Sequence, residues 1–194
     1  MLTLYQFKPT FQTWLRPIVQ RLAHLGVRPN QITIAAILLS IGMGSAIAVS
    51  PKAVLLLPIA LLLRMALNAI DGLLAREHSL VTPLGGILNE LGDGISDIAL
   101  YLPFSLIPGI APAWIVLIVI GALLTELAGV LGESRSYAGP MGKSDRALVF
   151  SVMAVLIYWG VQPWFNGVWI GVLGLESLTI VNRVRAALEV KSCS

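Results

Sequence analysis

A chain of 194 residues is one domain in length, and with 57% hydrophobic and only 12% charged residues it has too little polar surface for a water-soluble globule. Its mean hydropathy of +0.85 points to a bilayer, and a net charge of +3 is small enough that the placement of the bases matters more than their number. The single cysteine, Cys193, excludes an internal disulfide and a thiolate cluster, and two histidines, His24 and His78, are too few for a histidine-rich metal site.

The start, MLTLYQFKPTFQTW, has no short basic stretch running into an apolar core and a small-residue cleavage site, so a cleaved signal peptide is not expected. Over about 4–26, Phe7, Phe11, Leu15, Ile18, Val19 and Leu22 recur near helical spacing, with Lys8, Arg16 and Arg21 between them. That pattern suits an amphipathic helix lying along the bilayer surface, the alternative being a helix packed on protein. Six candidate spans follow, at about 30–49, 53–75, 83–107, 112–133, 147–163 and 166–187, several of them near the ~20 residues that cross hydrocarbon. The third carries acids and the sixth contains Glu176. The expectation is an all-α integral membrane protein, a single domain over 1–194, with six transmembrane helices after an N-terminal interfacial helix.

If six helices alternate, Lys8, Arg16, Arg21, Arg28, Arg76, Arg135, Lys143, Arg146, Arg183, Arg185 and Lys191 all fall on one side. Lys52 alone falls on the other, and Arg64 lies within the second span. Basic loops stay in the cytoplasm, so both termini and the 76–82 connection are expected there.

Between the second and third spans the sequence reads NAIDGLLAREHSLVTPLGGILNELGDGISD, from Asn68 to Asp97. Asn68 and Asp71 are three apart on one helix, and Asn89, Asp93 and Asp97 are four apart on the next, so each set shares a helical face. Ionisable groups in a span are costly and face a cavity or a partner. Carboxylate and amide oxygens gathered from two helices make a hard oxygen site suited to Mg²⁺, Mn²⁺ or Ca²⁺. Gly72, Gly85 and Gly86 let a ligand approach the backbone, and a diphosphate is the natural visitor to such a site. The plainer alternative makes these acids helix caps or ion-pair partners of Arg64 and Arg76.

At these residues the chain resembles the CDP-alcohol phosphotransferases, membrane enzymes that displace CMP from a CDP-linked lipid or alcohol. Asn68, Asp71-Gly72, Ala75-Arg76, Gly85, Asn89 and Asp93 match the family signature at every interval, six of its eight residues being identical. The departures are Asn68 and Asn89, where the family has its first and third aspartates. The resemblance extends to the N-terminal helix and to the GVRPNQIT segment before the first span, and so covers essentially the whole chain.

The resemblance implies transfer of a phosphatidyl group from CDP-diacylglycerol to a small alcohol or phosphorylated alcohol, or transfer from another CDP-linked alcohol to a diacylglycerol acceptor, with Mg²⁺ or Mn²⁺ as cofactor. By position it makes Asp71 a metal ligand, Asn68 and Asn89 neutral ligands, and Asp93 the general base. Gly72, Ala75, Arg76 and Gly85 would line the CDP part of the site. A rearranged assignment makes Asp93 a metal ligand and Asp97 the base, with Glu90 beside Asn89 supplying further charge. The setting expected is a bacterial inner membrane with the site open to the cytoplasm. Membrane lipids are partners, a homodimer is the expected assembly, and nucleic acid is not a partner.

The second polar cluster, ESRSYAGPMGKSDRA over 133–147, places Arg135, Lys143 and Arg146 on the side of the acids. They would bind phosphate on acceptor or donor, or else serve membrane topology and anionic lipid headgroups. GPMGK lacks the length and following residues of a P-loop. Glu126 and Arg64, both expected inside spans, form either a structural ion pair or a buttress to the cavity. Two alternatives stay open: a family member with weakened or lost catalysis, and an ion-binding membrane protein or small transporter. No inverted halves favour the latter.

Overall fold

Prolines punctuate this chain where helices start. Pro29, Pro58, Pro83 and Pro112 stand at the first or second position of four long helices. There the missing N–H has no intrahelical partner to lose, and the fixed φ is already helical. The computed structural model describes residues 8–132, 135–161 and 165–191. Among them seven α-helices follow in order: α1 (Lys8–His24), α2 (Pro29–Val49), α3 (Leu57–Glu77), α4 (Pro83–Tyr101), α5 (Pro112–Val130), α6 (Lys143–Tyr158) and α7 (Phe165–Lys191). Short 3₁₀ segments, Pro51–Leu56 and Leu102–Leu106, lead into α3 and out of α4.

The expected segments correspond to these helices, with one displacement. Lys143 and Arg146, placed by hydropathy in the connection before the fifth span, lie on α6 itself. The cause is local: the Gly142 N–H donates to Asp145 Oδ2 at 3.0 Å, which closes the first turn before the apolar run begins. Among the described residues four stretches are long and apolar enough to cross a membrane: Pro29–Val49, Pro51–Glu77, Pro112–Val130 and Asn166–Glu189. The other two expected spans differ for physical reasons. α4 carries Glu90, Asp93 and Asp97, and α6 has only 16 residues.

α1 uses one face against protein: Leu15 and Val19 are buried with Ile32, Ile70, Leu73 and Leu74. Trp14 and Ile18 remain exposed on it, and Phe7 lies outside the described residues. α2 packs against both α3 and α4, α4 reaches α5, α5 packs on α7, and α6 lies on α3. The α2–α4 contact is made possible by Gly44, because a Cβ there would sit 1.9 Å from the Ala99 carbonyl oxygen. An aromatic cluster packs next to the buried charges, with Tyr101 one turn beyond Asp97 and Phe150 one turn beyond Arg146. Tyr101 stacks on Phe150 at 4.1 Å, while Phe104 and Trp169 meet the same ring at 5.0 and 5.2 Å. Leu38, Ile59, Leu62, Leu117 and Leu127 stay outward, an apolar exterior suited to lipid rather than water.

Candidate functional site at the α3–α4 hairpin

Arg64, Asn68 and Asp71 stand on one face of α3, and Asn89, Asp93 and Asp97 on one face of α4. Thr82 starts α4 by accepting the Gly85 N–H at 3.0 Å. The faces meet through Asp93. Its Oδ1 accepts from Asn68 Nδ2 at 2.6 Å and from Arg64 Nη2 at 3.3 Å, and the same Nη2 donates to the Asp93 carbonyl oxygen at 3.0 Å. Its Oδ2 pairs with the Lys143 ammonium from α6. A carboxylate taken out of water is costly unless it is paired and hydrogen-bonded, and Asp93, 8% exposed, is both.

Asp71 is held from a different helix. Thr33 Oγ1, on α2, donates to Asp71 Oδ2 at 3.0 Å, and Asp71 lies within electrostatic reach of Asp93. Asn89 is half-buried one turn before Asp93. Arg76 folds back along α3, so that a Cβ on Gly72 would meet its Nη1 at 3.1 Å. Ala75 is half-buried, and Gly85 approaches Asn30 of α2, whose Oδ1 would lie 3.0 Å from an added Cβ. Gly86 has open space where a side chain would go.

Asp97 is enclosed, at 2% exposure. Its Oδ1 lies 2.7 Å from Arg64 Nη1, off the line of a hydrogen bond, and its Oδ2 accepts from Arg146 Nη2 at 3.2 Å. Glu90 stands at the rim, paired with Arg135. The pairing raised for Arg64 and Glu126 does not form. Arg64 is taken by Asp93 and Asp97, one and two turns along the facing helix, while Glu126 draws Arg135 and Arg146 at 3.2 Å and Arg183 at 3.6 Å. The three bases of the second cluster also part company. Arg135 and Lys143 are partly open at 29% and 25%, whereas Arg146 is sealed at 0% with Thr125, Asp97 and Glu126. Arg146 and Arg183, counted in the sequence as topology signals, are interior ion-pair partners.

Sequence reasoning missed Thr33, and of its two readings of Arg64 the pairing with the hairpin's acids forms while the pairing with Glu126 does not. The signal for Arg64 was its spacing, one turn before Asn68 on the same face. Glu176, Thr179 and Arg183 carried a similar signal at helical spacing on α7; all three are buried, and Thr179 Oγ1 accepts the Met141 N–H at 2.9 Å. Thr33 had no signal, because hydropathy does not say which face of α2 meets α3.

A divalent cation can be tested against these donors. Among the described residues no group of three His, Cys, Asp or Glu converges as a metal site. The donor set is instead one carboxylate, Asp71, with amide oxygens. Since Asn68 spends its amino half on Asp93, its Oδ1 is the half left for a cation. Hard oxygens of low total charge fit one Mg²⁺ or Mn²⁺.

The sequence model of the CDP-alcohol phosphatidyltransferase family matches residues 26–184. YnbA, an inner membrane protein of Escherichia coli (strain K12), is 48% identical over 195 residues, covering 96% of this chain and 97% of that protein. An archaetidylinositol phosphate synthase of Aeropyrum pernix is 30% identical over 143 residues, covering 71% of this chain and 72% of that protein. In fold, the chain is similar to the phosphatidylinositol phosphate synthase PgsA1 of Mycobacterium tuberculosis crystallised with CDP-DAG bound. The TM-score is 0.70 at 18% identity, over 89% of this chain and 90% of that one. The same enzyme in complex with manganese and citrate gives a TM-score of 0.65, over 89% and 86% of the two chains.

Proposed function

The chain belongs to the CDP-alcohol phosphatidyltransferase family and is a multi-pass membrane transferase, and from that premise we propose that it moves a phosphatidyl group from CDP-diacylglycerol to a phosphorylated polyol, releasing CMP. The observation that carries this is the convergence of Asn68, Asp93, Arg64 and Lys143 between α3, α4 and α6, with Asp71 beside them. PgsA1, of the same fold, is seen with CDP-DAG bound, and the Aeropyrum relative is named for an inositol phosphate product. Arg135 and Lys143, both partly open, suit a phosphate on the acceptor.

The acceptor hydroxyl oxygen attacks the phosphorus that bears the diacylglycerol, the bond from that phosphorus to CMP breaks, and the hydroxyl proton passes to Asp93. Asp93 is the proposed base rather than Asp97, because Asp97 is shut between Arg64 and Arg146 where no substrate hydroxyl reaches. Asp93 Oδ2 opens to the acceptor hydroxyl as Lys143 moves to substrate phosphate, while Arg64 and Asn68 keep the carboxylate aimed through Oδ1. Asp71, Asn68 and Asn89 would hold Mg²⁺ or Mn²⁺, which when bound neutralises the diphosphate and helps orient the phosphorus. Arg76, Gly72, Ala75 and Gly85 would line the CDP moiety, and Glu90 would steady Arg135 at the rim.

We further propose that α4 and α6 also cross the bilayer as part of one domain. That gives six crossings, with α1 at the interface and the site and both termini in the cytoplasm.

The purified protein, given labelled CDP-diacylglycerol, Mg²⁺ or Mn²⁺ and a panel of polyols and their phosphates, is expected to release CMP with a phosphorylated polyol. Folded protein that releases no CMP, whatever the acceptor or divalent ion, would return it to the second reading. That reading, a member of the family without catalysis, is favoured by the amides at positions 68 and 89.

A further inference from the structure

We propose that Lys143 is a resident cation of the α3–α4 site, its ammonium taking the place beside Asp93 that a second divalent ion would need, so that the chain binds one divalent ion. This rests on the phosphatidyltransferase reading only for the expectation that a divalent ion binds at all.

Three observations carry it. First, both oxygens of Asp93 are engaged by the chain's own donors: Oδ1 by Asn68 and Arg64, Oδ2 by Lys143. Oδ1 has both its acceptor positions filled, so a metal ion on Asp93 would have to share Oδ2 with the Lys143 ammonium, two cations on one oxygen.

Second, Lys143 is placed there by the fold. It is the first residue of α6, whose start is fixed by the Gly142 N–H to Asp145 hydrogen bond at 3.0 Å. Its ammonium is steadied on the far side by Glu126, 4.0 Å away.

Third, the charges close around one ion. Positions 68, 71, 89 and 93 hold two carboxylates, at Asp71 and Asp93, and two neutral amides. Arg64 is balanced by Asp97 at 2.7 Å, so Lys143 adds to the charge of any metal present. One divalent ion already offsets both carboxylates, and a second would stand uncompensated against an ammonium in a poorly solvated cleft. An ammonium is also a point charge on a flexible stem. It can shift from Asp93 to the acceptor's phosphate, as a lattice of fixed ligands cannot.

The experiment is Mn²⁺ titration of the full chain in detergent or nanodiscs, read by calorimetry and by the spin resonance of free Mn²⁺. The parent is expected to bind one Mn²⁺ per chain. Lys143→Arg keeps that number and affinity, because it keeps the charge. Lys143→Met tightens the site ~10-fold or more, by removing a like charge from its edge. Lys143→Gln serves the same comparison if the methionine variant does not fold. The triple variant Asn68→Asp, Asn89→Asp, Lys143→Met is expected to take up two ions. Two ions of similar affinity in the parent would overturn the proposal, as would an affinity unmoved by Lys143→Met, or no Mn²⁺ bound by any of the proteins. CMP release by the same samples is read separately. A parent that binds one ion but releases no CMP sinks the catalytic reading and leaves the resident cation standing.

Discussion

Replacing Asp97 with asparagine would leave Arg64 and Arg146, at 2% and 0% exposure, sharing one carboxylate fewer inside the bundle. Removing one partner of a buried pair costs about 3–5 kcal/mol. Asp97→Asn is therefore expected to lower the unfolding temperature in detergent sharply, and an unchanged transition would show that Asp97 holds nothing together. Asp93→Asn belongs to a different class. Arg64 keeps Asp97, and Lys143 at 25% exposure can turn to water, so the fold survives. Turnover is expected to fall ~10²–10⁴-fold, the usual contribution of a general base. CMP release from folded Asp93→Asn at the parent's rate would remove Asp93 from the mechanism. The signature spacing makes Asp93 legible in the sequence alone. It cannot tell Asp93 from Asp97, since both lie on one face of α4; what separates them is that Arg146 arrives from α6 to close over the second.

At the scale of elements, α4 owes its place to a backbone contact. A Cβ on Gly44 would lie 1.9 Å from the Ala99 carbonyl oxygen, and neither backbone can yield as a side chain could. Gly44→Ala is expected to cost at least ~3 kcal/mol, at the upper end of overpacking, and to abolish CMP release by moving Asp93 with its helix. Gly42→Ala, two residues away on the same helix, is the control. Nothing lies within 4 Å of its added Cβ, so alanine's helix preference should leave stability unchanged or raise it by up to ~1 kcal/mol. Equal behaviour of the two variants in a thermal melt would contradict close packing of α2 on α4. The α5–α7 contact repeats the device with charge, since a Cβ on Gly121 would meet Glu176 Oε2 at 2.4 Å. The start of α6 was misplaced in sequence because hydropathy marks where a helix turns apolar, and a capped polar turn precedes that point.

At the scale of the whole molecule, the proposed six crossings set Lys52 and His78, both exposed, on opposite sides of the membrane. In a background with Cys193→Ser, a Lys52→Cys variant is expected to react with an impermeant maleimide from outside intact spheroplasts, and His78→Cys only after permeabilisation. Labelling of both from one side would mean that α3 does not cross. This bears on orientation because the interior burial of Arg146 and Arg183 removes two bases from the loop-charge argument. Lys8, Arg16, Arg21, Arg28, Arg76, Arg135, Arg185 and Lys191 remain on the expected side, joined by Lys143 at the rim, so the asymmetry against Lys52 survives the correction.

Composition alone determined that this chain lives in a membrane, because apolar residues in runs of bilayer length have no other stable home. The signature intervals carried the resemblance to the family, and helical periodicity alone converts spacings of three and four into a shared face without help from the rest of the fold. Ion pairing was decided only by the tertiary structure. Asp71 meets Thr33 from α2, Asp93 meets Arg64 from α3 and Lys143 from α6, and Arg146 gathers Asp97, Glu126 and Thr125 from α4 and α5. Each of these contacts joins residues from different helices, some nearly fifty positions apart. Which charges become neighbours across such distances depends on how helices are rotated and stacked, and that is set by the summed packing of the bundle rather than by any local run of residues.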